Sequence, residues 1–451
     1  MAYSNIYFIG IGGIGMSAIA RYYKFRGFSV GGYDRTPSPL TRELESQGIP
    51  VHYEDDPSRI PTRVEETLVV YTPAVPDDLK ELQYVMENGY CVIKRSRMLG
   101  EIAEGQKCLA VAGTHGKTTT STLIAHILTE SKEGCTAFLG GISKNYGTNV
   151  LMSENNVVVA EADEFDRSFL QLHPEIAVIT AMDADHLDIY GDLEHVQEAY
   201  RQFASQTSGS IIAKLGLPLD QDAFKAKMYS YHFNDTRADF HAENVSMDAL
   251  GHYSFDLRHP GGLIPAIRVG TLGKLNVENS VAAAAVCLLH GTSEDAIRKA
   301  IGSFQGAKRR LDEQLNTRSV TYIDDYAHHP AELAAAITSI REMFPGRKIT
   351  GIFQPHLYTR TRDFAPEFAQ ALSALDKLVL LPIYPAREEP IQGVSSGIIF
   401  EKVTAPEKIL LEKENLMNWL EKEPVDVLVT FGAGNIDRFI DPIRELLLAR
   451  I

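Results

Sequence analysis

No apolar run in this chain approaches the roughly 18–20 residues needed to span a bilayer, so no membrane insertion is expected. The opening apolar stretch, Ile6–Met16, is interrupted by glycines and has no basic leader, which makes it a poor signal peptide. Cysteine is scarce: Cys91, Cys108, Cys135 and Cys287 are scattered, with no CxxC pair and no metal-ligand spacing. Reduced, buried thiols in a reducing cytoplasm are expected rather than disulfides. A basic run is also missing, and acidic residues outnumber basic ones by 59 to 44, for a formal charge of −15. That balance argues against a nucleic-acid partner. An anionic substrate would have to be held locally, by backbone amides, metal ions and a few placed arginines. Low-complexity tracts and short-period repeats are absent too.

What is present is 451 residues with 44% apolar content, too long for one compact core and ordinary for a globular protein. Strand–helix alternation recurs in three regions, which predicts α/β domains with parallel sheets. The first, residues 1–104, opens with an apolar strand at Ile6–Ile11, a glycine turn and a helix pattern, followed by strands at Phe28–Tyr33 and Thr67–Tyr71. The second, 105–311, runs from the strand Cys108–Ala112 into a glycine loop and the helix Thr118–Leu128, with further strands at Val157–Ala160 and Ile176–Thr180. A basic, helix-poor stretch at Gly306–Leu311 reads as a linker. The third, 312–451, has strand signals at Ser319–Ile323, Lys348–Phe353, Lys377–Leu381 and Val425–Thr430.

Two glycine turns carry the chemistry. Residues Ala110–Thr120 read AVAGTHGKTTT, a strand, a glycine loop and a helix start. Such a turn aims backbone N–H groups and the helix dipole at one anion. Gly113, Thr114, His115, Gly116 and Thr119 would cradle nucleotide phosphates, Lys117 would reach the β/γ-phosphates and Thr118 would ligate Mg²⁺. Val111 stands where the strict loop pattern wants glycine, so this is a variant. The N-terminal GIGGIG (Gly10, Gly12, Gly13, Gly15, with Met16 after it) is followed by Asp34, the dinucleotide fingerprint. Alone it says only that a pyrophosphate fits, and NAD, FAD and UDP-sugars all contain one. Glu161 opens EADEFD at a strand end, where ligand crevices form, and His186 sits in the acidic stretch TAMDADHLD with Asp183, Asp185 and Asp188. Both are candidate metal ligands.

In order, GIGGIG, AGTHGKTTT, AEADEFD, DADHLD, GKLNVEN, DDYAHHP, QPHLYTRTRD and FGAGNI resemble the Mur ligases, from Ile6 to Ile436. The likeness is narrowest to the members that join L-alanine to UDP-N-acetylmuramate. It implies a Rossmann-like UDP-binding domain, a P-loop-type central ATPase domain and a Rossmann-like C-terminal domain. It also implies ATP with Mg²⁺ or Mn²⁺ as cofactors, and it admits a monomer–dimer equilibrium. Gly10–Gly15 would then hold the UDP diphosphate, with Asp34, His52 and the Thr72–Val75 turn (Thr72 and Ala74 in it) positioning the UDP-sugar. Lys117 and Thr118 would hold ATP and metal, and Glu161 and His186 would serve two metal ions. Asn276 and Asn279 would contact adenine, Asp325 the ribose, and Tyr326, His328 and Arg360 the incoming amino acid. Leu275, Leu357 and Ala181 depart from the family pattern. Leu357 stands where a second carboxylate-binding arginine is common, leaving Arg360 and Arg362, which on an extended segment would share a side; the bland reading of Arg362 is a salt bridge to Asp363 or Glu367.

The implied reaction phosphorylates the muramate carboxylate, and the acyl phosphate is then attacked by the neutral amine of L-alanine. Lys117 would neutralise charge on the γ-phosphoryl, and His328 would take the amine's proton. Closure of the third region over the second would exclude water. A sister ligase attaching a tripeptide to the same UDP-muramate shares most of the motifs. An NAD-dependent oxidoreductase would explain GIGGIG and Asp34 but would leave Lys117, Glu161 and His186 without a task. A silent UDP-sugar-binding protein would use the first domain only.

Overall fold

The computed structural model describes residues 3–451 apart from 185 and 387, together with the backbone but not the side chains of 187 and 188. Three sheets follow one another along the chain. The first is five-stranded and parallel, in the order Val51–His52, Ser29–Tyr33, Asn5–Ile9, Thr67–Tyr71, Cys91–Lys94. This is the arrangement of a mononucleotide-binding half, with the glycine turn at the end of its central strand.

The second sheet has ten strands. Its strand Lys107–Ala112, which leads into the phosphate-type loop, lies between Ile176–Ile179 and Val157–Glu161, parallel to both. The acidic stretches that follow those two neighbours therefore emerge on either side of the loop. Strands Lys227–His232, Phe240–Met247, His252–His259 and Gly262–Leu272 extend this sheet, the last of them forming its edge. None of them was expected, because they carry little apolar alternation.

The third sheet is ordered Asp312–Asn316, Thr321–Asp325, Val427–Phe431, Ile349–Phe353, Lys377–Leu380, Glu407–Leu410. All pairs are parallel except the first, where the unexpected polar edge strand runs antiparallel. The α/β class with three domains in series is as expected.

Contacts gather the chain into two compact units. One comprises Met1–Glu243, Asp256–Ile267 and Glu278–Ala307; the other comprises Asn244–Phe255, Arg268–Val277 and Lys308–Ile451. The break after Ala307 falls inside the stretch read as a linker. Within the first unit one apolar core is continuous from Ile6 and Phe8 of the first sheet to Cys108 and Val158 of the second. The buried amide of Asn149 adds a polar tie, donating to Ile14 O and to Ser17 Oγ on the helix Ile14–Phe25. All four cysteines are free thiols, but Cys91 is exposed, against the expectation of burial.

A polar cluster stabilises the first sheet from inside. Tyr7 Oη lies 2.6 Å from both His52 Nε2 and Glu81 Oε2, and His52 Nδ1 lies 2.9 Å from Glu54 O. A carbonyl only accepts, so Nδ1 carries a proton and Nε2 is left to accept from Tyr7. The phenol has one hydrogen, so Glu81 must then donate to it. That neutral arrangement fits burial, which pushes the Glu81 carboxyl up to about 7 and lowers His52. The alternative, imidazolium facing carboxylate, holds the same three protons but places two charges in the interior.

The stability linkage follows from the sign of the shift. A carboxyl raised from 4.5 to about 7 contributes stability that is complete below pH 4.5 and lost as pH rises through 7. Glu81→Gln reproduces the protonated hydrogen-bond pattern without titrating. The wild-type unfolding midpoint should therefore decline between pH 5 and 8 by the equivalent of about 3 kcal/mol. In the variant that decline should flatten, and calorimetry at stepped pH distinguishes the two.

Candidate active site

The first glycine turn spans the strand Asn5–Ile9 and the helix Ile14–Phe25, which has no side-chain cap. Its first-turn N–H groups, including those of Gly15 and Met16, are the donors available to a diphosphate. Met16 itself is buried and offers only its backbone. The N–H of Gly12 is already held by Asp34 Oδ2 at 2.8 Å, and Asp34 Oδ1 accepts from Thr36 at 3.1 Å. Asp34 thus fixes the loop as well as lying where a ligand's sugar would come. Gly13 closes back on Gly10 O at 3.3 Å. Thr72 packs against Gly10, and Ala74 is exposed in the adjoining turn. Both ring nitrogens of His52 are taken by protein partners, so only its ring face and edge are left for a UDP-sugar.

The second turn joins Lys107–Ala112 to the helix Lys117–Glu130. Gly113 has φ +138°, and a Cβ there would collide with Thr180 Oγ1, so only glycine fits. Thr180 also donates to Ala112 O at 3.2 Å and to His115 O, which pins the loop to the neighbouring strand end. Thr114 Oγ1 donates to Asp183 at 3.3 Å, and exposed His115 stands 3.6 Å from the same carboxylate. Thr119 is half-buried on the first helical turn.

Lys117 Nζ lies 2.7 Å from Gly113 O and from both oxygens of Glu164, a pair with exposures of 14% and 2%. Glu164 is a member of the site that sequence reasoning did not single out, because nothing local distinguishes it from its acidic neighbours. Thr118 Oγ1 donates to Glu161 Oε1 at 3.2 Å, and Gly140 N–H donates to Glu161 Oε2 at 3.0 Å. A hydroxyl and a carboxylate oxygen side by side at a phosphate loop are the hard donors Mg²⁺ takes. His186 has φ +51° and sets its ring 5.2 Å from that of Phe165, the residue after Glu164. Asp185, and the side chain of Asp188, lie outside the described residues. Among the described residues no three His, Cys, Asp or Glu side chains form a closed metal cage.

The rest of EADEFD is neutralised by cations. Asp163 Oδ2 accepts from Arg95 Nη2 at 3.0 Å, and Asp166 Oδ2 from Lys94 at 2.6 Å. Asn279 Oδ1 accepts from Thr120 Oγ1 at 3.4 Å, which puts it beside the phosphate loop.

The second unit carries the remaining candidates. Asn276 is buried and its amide donates to Leu272 O at 2.7 Å. Leu275 is 52% exposed. Asp325 ends the strand Thr321–Asp325 and accepts from the N–H groups of Leu311 and Ala327 at 2.7 and 2.8 Å. Burial raises its carboxyl, those two amides pull it down, and the unused lone pairs suit a ribose. Tyr326 lies under the guanidinium groups of Arg309 and Arg310, 5.1 and 5.6 Å from its ring centre.

His328 precedes a capped helix, Pro330–Met343, whose Glu332 accepts its backbone N–H at 3.0 Å. Its Nδ1 faces Tyr326 O at 3.0 Å, which leaves the lone pair on Nε2. Burial is the main cause that lowers its basicity, opposed by Glu332 and aided by Arg360. A neutral imidazole beside an arginine is a competent general base.

The segment bearing Arg360 and Arg362 is a helix, Tyr358–Asp363, not an extended strand. Residues two apart on a helix diverge, so the two do not share a side. Arg362 is exposed and pairs with Asp363 at 2.7 Å, as the bland reading had it. Leu357 caps that helix with φ +72°, and Ala181 contributes its carbonyl to Thr114 N–H at 3.4 Å.

Comparison with known proteins bears on the same residues. Three family models match in series: "Mur ligase family, catalytic domain" over 5–107, "Mur ligase middle domain" over 111–287 and "Mur ligase, glutamate ligase domain" over 309–434. A UDP-N-acetylmuramate–L-alanine ligase of Parabacteroides distasonis is 50% identical over 99% of this chain and 98% of its own. The enzyme of that name from Porphyromonas gingivalis is 48% identical over 98% and 99%. Among solved structures, the UDP-N-acetylmuramate–alanine ligase of Thermotoga maritima matches with TM-score 0.83 and 26% identity, covering 99% of this chain and 100% of that one. A murein peptide ligase of Psychrobacter arcticus shares the fold at TM-score 0.69 and 20% identity, covering 99% and 98%. With its motifs, its three sheets and these matches along nearly its whole length, the chain belongs to the Mur ligase family.

Proposed function

We infer that this chain joins L-alanine to the lactyl carboxylate of UDP-N-acetylmuramate, releasing ADP and phosphate, in peptidoglycan precursor synthesis. Half-identity from end to end with the Parabacteroides distasonis ligase supports the substrate pair. The observation that carries the chemistry is the 3.2 Å contact of Thr118 with Glu161 on the loop that Lys117 closes. UDP occupies the Gly10–Gly15 turn, in a domain ending near 104. ATP takes the Gly113–Thr119 turn in the domain ending near 311, with Asn276, Asn279 and Asp325 on its adenosine. Thr118, Glu161 and His186 hold Mg²⁺ or Mn²⁺, which supplies charge neutralisation at the transferring phosphoryl group. The setting is the cytoplasm.

Oxide is not a leaving group at neutral pH, so the acid must be activated. Lys117 neutralises the γ-phosphoryl as the carboxylate attacks in line. Its partner Glu164 keeps the ammonium aimed at the loop. Arg360 holds the carboxylate of alanine, with Tyr326 beside it, while Arg362 has the lesser part. His328, neutral through burial, takes a proton from the amine through Nε2 as it attacks the acyl phosphate. Phosphate then leaves the tetrahedral intermediate and the amide remains.

Lys117→Ala should lower alanine-dependent ADP formation by roughly 10³-fold. It should leave the dissociation constant of UDP-N-acetylmuramate unchanged, because that ligand takes another turn. Coupled kinetics and calorimetry read the two quantities, and parallel loss of both would refute the assignment. A panel of L-alanine, glycine, L-serine and tripeptide checks the amine.

Because His328 is shifted below 6.5, it is neutral through the physiological range and becomes protonated only at lower pH. The kcat profile should accordingly have an acid limb below pH 6.5. In His328→Gln that limb should vanish and kcat should drop by roughly 10²-fold. An unchanged acid limb in the variant would remove His328 as the base.

A further inference from the structure

Arg95 belongs to none of the motifs, yet it stands between the two glycine turns. It opens the helix Arg95–Ala103 directly after the strand Cys91–Lys94. One edge of its guanidinium donates to Asp163 Oδ2 at 3.0 Å. The other edge lies over Gly15, where a methyl group would collide with Nη1. The third glycine of such a fingerprint ordinarily lets a helix pack closely on its strand. Here it makes room for a cation. A cleft of about 160 Å³ runs along this helix and is lined by Gly15, Arg95, Phe138, Gly140, Glu161 and Asp163. It therefore connects the turn read as the diphosphate site with the carboxylate that faces Thr118. Arg95 is partly accessible within it, with 23% of its side chain exposed.

We propose that Arg95 binds the lactyl carboxylate of the acceptor in this cleft and positions it for phosphorylation. The proposal rests on the acceptor reading given above and adds a residue to it. The acid must pass from a diphosphate on the first turn to a phosphoryl group on the second, and this cleft joins the two. Its lining is largely apolar with two carboxylates, Glu161 and Asp163, and Arg95 is the cation in it, so an incoming carboxylate would meet its counter-charge there. Asp166 holds Lys94 and Glu164 holds Lys117. Asp163 engages one donor of a five-donor fork, and the planar fork matches a carboxylate. Arg95 is a substrate-binding residue and moves no proton.

The test uses the full chain and two ligands that differ in the lactyl ether, UDP-N-acetylmuramate and UDP-N-acetylglucosamine. By calorimetry, Arg95→Ala should weaken the first by about 10- to 100-fold, the range for a hydrogen bond to a charged group. The second, which shares the diphosphate, should bind as it does to the wild type. Arg95→Lys should fall between. Asp163→Asn breaks the ion pair but keeps the guanidinium, and should bind UDP-N-acetylmuramate at least as tightly as the wild type. Parallel weakening of both ligands, or no change in either, overturns the proposal. So does an Asp163→Asn variant as weak as Arg95→Ala. If the wild type forms no ADP with UDP-N-acetylmuramate and alanine, the reading of the reaction falls as well. If it does, while Arg95→Ala keeps the ligand preference, only this inference fails.

Discussion

The arrangement depends on balancing carboxylates at the end of one strand. Residues 161–166 place four acids where two anionic substrates are expected, in a chain of net charge −15. Unpaired, they would repel both ligands. Arg95, Lys117 and Lys94 each take one carboxylate, at 3.0, 2.7 and 2.6 Å. Glu161 is left to face Thr118 and Gly140 N–H. Two of these cations come from the last strand and helix of the first sheet, so charge balance and the joining of the first two domains are one set of contacts. The partly exposed pairs contribute little stability each. The Lys117–Glu164 pair differs because Glu164 is buried, and removing the lysine would strand a charge, at a cost of about 3–5 kcal/mol.

That coupling explains what the sequence disclosed. Glycine turns, apolar strands and a lysine at a helix start are local signals, and Thr67–Tyr71 and the two loop-bearing strands lie where the pattern puts them. Arg95 and Asp163 are 68 residues apart, and Tyr7 and Glu81 are 74 apart. No spacing rule joins such pairs. Only tertiary packing does, by setting the end of Cys91–Lys94 in the first sheet near the end of Val157–Glu161 in the second. The strands between Lys227 and Leu272 escaped for a related reason: part of each faces water, so polar residues break up the apolar signal. The Arg360 segment was misjudged because TRTRD has no apolar period that would separate helix from strand.

Departures from the family pattern acquire distinct physical meanings. Leu275 is more than half exposed, so it fills no cavity left by a missing polar residue. Leu357 adopts φ +72°, a conformation that β-carbons disfavour, and its carbonyl accepts from Thr361 Oγ1 at 2.7 Å inside the helix it caps. It is a backbone device, and its side chain cannot supply a second cationic clamp. Arg362 is turned to Asp363, which leaves Arg360 as the arginine proposed for the amino acid's carboxylate.

The two glycine turns, similar on paper, differ in how their donors are used. In the first, the Asp34 carboxylate takes the Gly12 N–H and so places a negative charge at the loop. A diphosphate there must rely on the first helical turn and cannot use every amide of the fingerprint. The loop is set by the protein, and its acid is less free to report on a ribose, which weakens the dinucleotide reading on grounds separate from family likeness. In the second turn the nearest acid, Glu164, is met by the ammonium of Lys117 rather than by a loop amide. The Thr114 amide there donates to Ala181 O, and the lysine faces a buried carboxylate. On the proposed reading one turn would grip an anion that stays in place, while the other would present a cation to a phosphoryl group that must leave.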